Sequence, residues 1–408
     1  MKYIILQGDG MADYPIESLG GKTPLEAAAT PNMDWLASHG IFGLAHTIPE
    51  GFPPGSDVGN LSILGYDPKI YYTGRAPLEA ASMGVRLGPE DIAFRCNLVA
   101  LREDGKATIM EDFTAGHISS AEANEIIQDL NRQLGDDSVK FYPGVSYRHL
   151  MVWYGGRGDI KTTPPHDITD RETAPYLPEG DGAKFIRNLM ERSKSLLARH
   201  PINREREKRG ERRATSIWLW GQGKAPNMPS LNKRFGINGA VISAVDLING
   251  LGVYAGLERI SVPGITGFID TNFQGKGEYA LEALRQKDLI FIHVEAPDEA
   301  GHMGDAAAKV KAIEAVDEKV LGTVLRGMDH WPDWRLLLLP DHATPVALKT
   351  HVSDPVPFVL YSSKEEKIPK SLRFNEGDAK KTGINVKKAY TLIEGLIKGR
   401  KLWIETSH

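Results

Sequence analysis

Leu289–His302 reads LIFIHVEAPDEAGH. Leu289–Val294 has the length and apolar content of a strand buried in a parallel sheet. The chain then turns polar, and Asp298 and His302 stand four residues apart. At the start of a helix that spacing stacks a carboxylate and an imidazole on one face, able to grip one ion. The competing explanation is an N-cap aspartate followed by an unrelated histidine. Other stretches decide between them. Leu336–Leu339 is a second apolar run, and LLLLPDHATP places Asp341 and His342 directly after it; His351 follows in THVSDPVP. Tyr3–Leu6 is a short apolar strand, and Asp9 follows in GDGM. Carboxylates and imidazoles recurring at strand ends, where an α/β sheet presents its ligand face, are hard to explain as packing. The expectation is a two-metal hydrolytic or phosphoryl-transfer centre.

The chain has 408 residues, a net charge of −4 and one cysteine. That length suits two or three domains and a large core without staples. The charge balance offers no basic surface for nucleic acid, and no apolar run has membrane-spanning length. Cys96 has no partner for an intramolecular disulfide and reads as a small buried hydrophobe in AFRCNLV, which suits a reducing cytoplasm. The N-terminus begins with a strand rather than a basic and apolar leader.

Strand–helix alternation resumes after residue 216 with Ile217–Trp220, GAVISAVDLINGLGVYAGL, Ile260–Val262, a helix near Gly277–Arg285, Leu289–Val294, a helix over Ala306–Arg326, Leu336–Leu339 and Phe358–Leu360. This predicts a mostly parallel sheet covered by helices on both faces. Pro31 and Gly40 bracket a helix at MDWLASHG. Because Asp9 must meet Asp298 and Asp341, residues 1–85 and 216–408 are expected to share one discontinuous domain. Residues 86–215 then form an inserted smaller α+β domain, with strands near Phe94–Leu101, Ala107–Met110, Val139–Tyr142 and His149–Tyr154. Its helices are expected over Ser120–Leu134 and Ala183–Arg199. The run NREREKRGERR reads as solvated surface.

A two-metal site needs a reacting group, and PEGFPPGSDVGN offers Ser56. Neighbouring glycines let the backbone approach a phosphate, and a serine held against a cation loses its proton more readily. Without the metal site, a turn with a helix N-cap would explain the same residues. Mixed carboxylate and imidazole ligands suit Mn²⁺ or Zn²⁺.

The opening GDGMAD, the helix TPNMDWLA, the loop PPGSDVGNLSILGYDP and the trio APDEAGH, PDHATP and THVSDPVPF resemble the cofactor-independent phosphoglycerate mutases of the archaeal type. These belong to the alkaline phosphatase superfamily. AFRCNLV, TAGHIS, YPGVSYRHL and GAVISAVDLI extend the likeness along nearly the whole chain. The resemblance implies an alkaline-phosphatase-like α/β fold and a phosphoserine at Ser56. It implies one cation held by Asp9, Ser56, Asp341 and His342, and another held by Asp298, His302 and His351. Mn²⁺ is expected first, with Zn²⁺, Co²⁺ or Mg²⁺ as alternatives, and 2,3-bisphosphoglycerate is not required. His117, Arg148, His149, His166 and Arg75 are implied to hold the small phosphorylated substrate, and Asp167 to act as acid or base. Self-association into a homo-oligomer is left open. IWLWGQGKAPNMP is also similar to relatives regarded as homoserine kinases. A homoserine kinase or a metal-dependent phosphatase on the same scaffold therefore stays as the alternative.

Overall fold

The computed structural model describes residues 1–157, 159–365 and 369–399. It divides into two units, one of Met1–Tyr72 with the chain from Asn227 onward, the other Thr73–Pro226. The boundaries lie outside the expected 85/86 and 215/216. The helix Ala76–Ser82 buries Ala76 and Ala80 against Ala93, Leu150 and Val152, so it belongs to the second unit. The strand Ser216–Gly223 likewise pairs with the strand Ile92–Asp104 out to Ala93.

The first unit is built on an eight-stranded sheet. Its order runs Glu258–Arg259, Gly239–Ile242, Leu289–Val294, Lys2–Gly8, Trp334–Leu339, Val356–Ser362, Ile41–Ala45 and Asn385–Val386. Only Val356–Ser362 runs antiparallel to its neighbours. The three central strands are almost wholly buried, which explains their unbroken apolar sequence. Ile41–Ala45 escapes the sequence reading, being short and interrupted by Gly43. A strand at Ile260–Val262 is not formed; pairing stops at Arg259, and only the Ile260 N–H continues it, to Val241 O.

The helix expected over Ala306–Arg326 forms in three parts, Ala306–Ala315, a π-helical Val316–Leu321 and Gly322–Gly327. The π turn holds Asp317 where its carboxylate accepts the N–H groups of Asn32 (3.2 Å) and Met33 (2.7 Å). It thus caps the helix Pro31–His39, where a negative group suits the free N–H groups and the dipole.

The second unit is an antiparallel sheet whose long strand Ile92–Asp104 pairs with Ala107–Asp112, Arg148–Trp153 and Ser216–Gly223. Val139–Tyr142 completes it beside Arg148–Trp153. The helices Ser120–Leu134 and Ala183–Leu197 bury Ile126, Ile127, Leu130, Ile186 and Leu189 in a core with Phe94, Leu98 and Trp218. The charge run is not all solvated surface. Pro201–Lys208 is a helix, and Arg206 is 3% exposed, pairing with Glu122 at 2.7 Å and donating to Ala115 O at 3.0 Å.

Candidate metal centre

Asp9, Glu295 and Asp341 follow the carboxyl ends of three adjacent parallel strands, Lys2–Gly8, Leu289–Val294 and Trp334–Leu339. Asp298 and His302 lie on the helix Ala296–Met303 that leaves the second of these strands. Asp298 Oδ2 is 3.2 Å from His302 Nε2, and Asp298 Oδ1 is 3.5 Å from His351 Nε2. The two imidazoles meet at 2.8 Å, Nε2 to Nε2. The structure also places His342 beside Asp298 and His351, its ring stacked on that of His351 at 4.0 Å.

The second cluster adjoins the first. His342 Nε2 lies 3.2 Å from Ser56 Oγ, 3.3 Å from Asp341 Oδ2 and 3.6 Å from Asp9 Oδ1. Ser56 is the first residue of the helix Ser56–Ile63, whose N-terminal N–H groups suit an anion. Asn60 Nδ2 locks that helix to the ligand loop by donating to Asp341 Oδ2 (3.0 Å) and Ser56 O (2.9 Å). A Cβ on Gly59 would lie 2.8 Å from Asp341 O, so the helix approaches this closely only with glycine there. Gly10, at φ +60°, faces Asp298 and Thr344 as tightly. The buried Lys309 ammonium braces two loops by donating to Ala12 O (3.1 Å), Asp13 Oδ2 (2.7 Å) and Thr344 O (2.8 Å).

These residues fit divalent cations. His302 Nδ1 donates to Lys349 O at 3.0 Å, so the Nε2 lone pair of a neutral ring faces His351 and Asp298. Acceptors turned on each other at such distances call for a proton or a metal between them. Asp9 Oδ1 is buried with no hydrogen-bond partner among the described residues. Without cations the charges are strained. Burial, then the Asp341, Glu295 and Asp298 carboxylates, hold the Asp9 carboxyl well above the usual range. Burial, then Asp298, pushes Glu295 up to about 8. Burial would also raise Asp298, but hydrogen bonds from His302 and His351 outweigh it and hold that carboxyl well below its ordinary value. His302 is pushed up to about 9 by its bond to Asp298.

Two residues of the centre escape the sequence reading, although both stand in the opening stretch. His293 and Glu295 form a third group with Asp9. His293 Nε2 lies 2.9 Å from Asp9 Oδ2 and 3.3 Å from Glu295 Oε2. The signal was present: a histidine facing into an apolar strand needs a polar partner, and Glu295 ends that strand.

In the second unit, the expected substrate residues other than His149 lie along one chain of contacts. His117 meets Tyr147 (6.4 Å between ring centroids), Tyr147 meets Phe113 (5.8 Å), Phe113 meets His166 (5.9 Å) and His166 meets Trp220 (5.3 Å). Arg148 lies over Tyr147 and Arg95 over Trp220. Arg95 and Arg75 both pair with Glu79, at 2.9 and 3.3 Å. Asp167 is exposed, its carboxylate 3.7 Å from His166 Nε2. His149 differs from expectation. It is 3% exposed and its Nδ1 accepts the Gly144 N–H at 3.0 Å, so the ring shapes a turn instead of facing solvent. Arg95 and Trp220 are the members that sequence reading missed; both read there as strand interior.

The profile of the 2,3-bisphosphoglycerate-independent phosphoglycerate mutase family matches residues 37–203. A probable 2,3-bisphosphoglycerate-independent phosphoglycerate mutase of Geobacter sulfurreducens is 52% identical over 97% of this chain and all of its own length. The 2,3-bisphosphoglycerate-independent phosphoglycerate mutase of Methanosarcina barkeri is 50% identical over 98% of this chain and all of its own. Among solved structures, the cofactor-independent phosphoglycerate mutase of Thermoplasma acidophilum aligns with a TM-score of 0.67 at 27% identity, covering 98% of this chain and 99% of its own. A protein of Pyrococcus horikoshii aligns at 0.80 with 28% identity, over 97% and 96%. Likeness at this level spans nearly the whole chain, and the chain belongs to the 2,3-bisphosphoglycerate-independent phosphoglycerate mutase family.

Proposed function

We propose that this chain interconverts 3-phosphoglycerate and 2-phosphoglycerate through a phosphoserine at Ser56, without 2,3-bisphosphoglycerate. The observation that carries the reading is Ser56 Oγ lying 3.2 Å from His342 Nε2 at a helix N-terminus, beside Asp9 and Asp341. Asp9, Ser56, Asp341 and His342 would hold one divalent cation, and Asp298, His302 and His351 another. A donor set without thiolate suits Mn²⁺. When bound, the cations neutralise the phosphoryl oxygens and favour the serine alkoxide.

The chain's own residues do the rest. Ser56 gives up its proton to water, and regains one when the phosphoryl group leaves it; its Oγ bonds to phosphorus as the bond to the glycerate oxygen breaks. That oxygen takes a proton from an acid, which we assign to Asp167 or His166. The other glycerate hydroxyl then returns a proton to the same group and takes the phosphoryl group from Ser56. We assign the substrate carboxylate to the patch of Arg75, Arg95 and Arg148, where bidentate guanidinium contacts suit it. Its small phosphorylated substrate and the single buried Cys96 support a place in the cytoplasm; among the described residues no helix is long and apolar enough to cross a membrane.

A coupled assay with 3-phosphoglycerate tests this. Turnover should need a divalent cation, ignore added 2,3-bisphosphoglycerate and fall at least about a thousand-fold in Ser56→Ala. Phosphorylation of homoserine by ATP, or release of free phosphate, in place of mutase turnover would replace the reading.

A further inference from the structure

We infer that His293, oriented by Ser243, is the positioning residue for Asp9: it occupies Asp9 Oδ2 and so leaves Oδ1 for the cation. The inference rests on the metal centre proposed above, but not on the identity of the substrate. His293 is fully buried in the strand Leu289–Val294, in register with Gln7 of the neighbouring strand. Its Nε2 faces Asp9 Oδ2 at 2.9 Å and Glu295 Oε2 at 3.3 Å. An ionised carboxylate oxygen only accepts, so opposite an ionised Asp9 the ring carries its proton at Nε2 and donates it there.

The other nitrogen explains how the ring is held there. Nδ1 lies 3.0 Å from Ser243 Oγ. That hydroxyl accepts the Val245 N–H at 2.9 Å, and its own hydrogen goes to Nδ1, which is nearer than Val245 O at 3.4 Å. Ser243 follows the strand Gly239–Ile242, which pairs with His293's strand through Ile242 and Ile292. The hydrogen-bond chain therefore crosses three adjacent strand ends, from Ser243 to His293 to Asp9. Lys276 secures the middle link by donating to the His293 carbonyl at 2.8 Å.

The consequence is a preset carboxylate. Asp9 Oδ1 has no hydrogen bond among the described residues and lies 3.6 Å from His342 Nε2, so it is the oxygen turned toward the proposed ligand partners. Fixing the second oxygen removes the freedom to rotate the donor away. Such outer hydrogen bonds to a ligand are worth about 10–100-fold in metal affinity.

The test measures Mn²⁺ dissociation constants of the full-length protein, following free Mn²⁺ by electron paramagnetic resonance. His293→Ala should weaken binding by about 10–100-fold. His293→Gln, whose amide can still donate toward Asp9, should recover most of that loss. Ser243→Ala should weaken binding less. Unchanged affinity in His293→Ala, or a Gln variant as weak as Ala, overturns the inference. If His293→Ala does not fold, ¹⁵N resonances of the Mg²⁺-loaded wild-type protein decide it: a proton on Nε2 is expected, and a proton only on Nδ1 overturns it. Wild-type protein that turns over no 3-phosphoglycerate, while His293→Ala still loses metal affinity, removes the mutase reading and leaves this one standing.

Discussion

His149 shows how one side chain can set pH behaviour away from the metal centre. Burial pushes its imidazole down to about 3 from the ordinary 6.5, and Nε2 has no partner among the described residues. The unfolded chain therefore takes up a proton below about pH 6.5, whereas the folded chain does so only near 3. The stability this residue contributes is full above pH 6.5 and is lost as pH falls from 6.5 toward 3, by up to about 1.4 kcal/mol per pH unit. His149→Asn can keep an acceptor for the Gly144 N–H and does not titrate. Its thermal midpoint should fall less steeply than the wild type's between pH 6 and 4. Parallel slopes would show that His149 does not contribute. This residue also marks a limit of sequence reading. SYRH placed an arginine and a histidine side by side, but strand alternation sends neighbours to opposite faces, and only Arg148 is exposed.

At the scale of elements, the helix Ser56–Ile63 is held by contact rather than by propensity. Gly59 is a poor helix residue, and alanine there would ordinarily gain about 1 kcal/mol. The structure reverses the sign for function. The new Cβ would meet Asp341 O at 2.8 Å, so helix and ligand loop must part. Gly59→Ala should keep its helical circular dichroism and lose about a hundred-fold in 3-phosphoglycerate turnover, the scale of a misplacement near 1 Å. Wild-type turnover in that variant would show that the gap can open freely. PPGSDVGN read alone is compatible with a plain turn and cap. Only the close packing of this helix on the Asp341 loop gives Gly59 its role.

For the whole molecule, each unit has its own core, the first around a mostly parallel sheet and the second around an antiparallel one. The carboxylates Asp9, Glu295, Asp298 and Asp341 all lie in the first. Chelation should therefore destabilise the first unit selectively. At a free cation concentration a hundred-fold above its dissociation constant, each ion contributes about 2.7 kcal/mol. Calorimetry should show one transition that falls on adding a chelator and returns with Mn²⁺, and a second that does not move. Two transitions falling together would mean that the units unfold as one; neither falling would contradict the metal centre.

The sequence by itself determined the buried strands, their mostly parallel arrangement and the candidate ligands that follow them. A strand buried on both faces must be continuously apolar, so the first carboxylate or imidazole beyond it stands out. Asp9, Asp298, His302, Asp341, His342 and His351 were legible for that reason, and Ser56 through its glycines. Tertiary structure alone decided the supporting layer. His293 and Glu295 gain meaning only because parallel pairing brings Gln7 beside His293, and so Asp9 within reach. Arg95 and Trp220 come together across paired strands more than a hundred residues apart. Asp317 caps a distant helix through a π turn that no local pattern announces. Local sequence encodes periodicity and burial, whereas partners distant along the chain are set by strand register and helix packing.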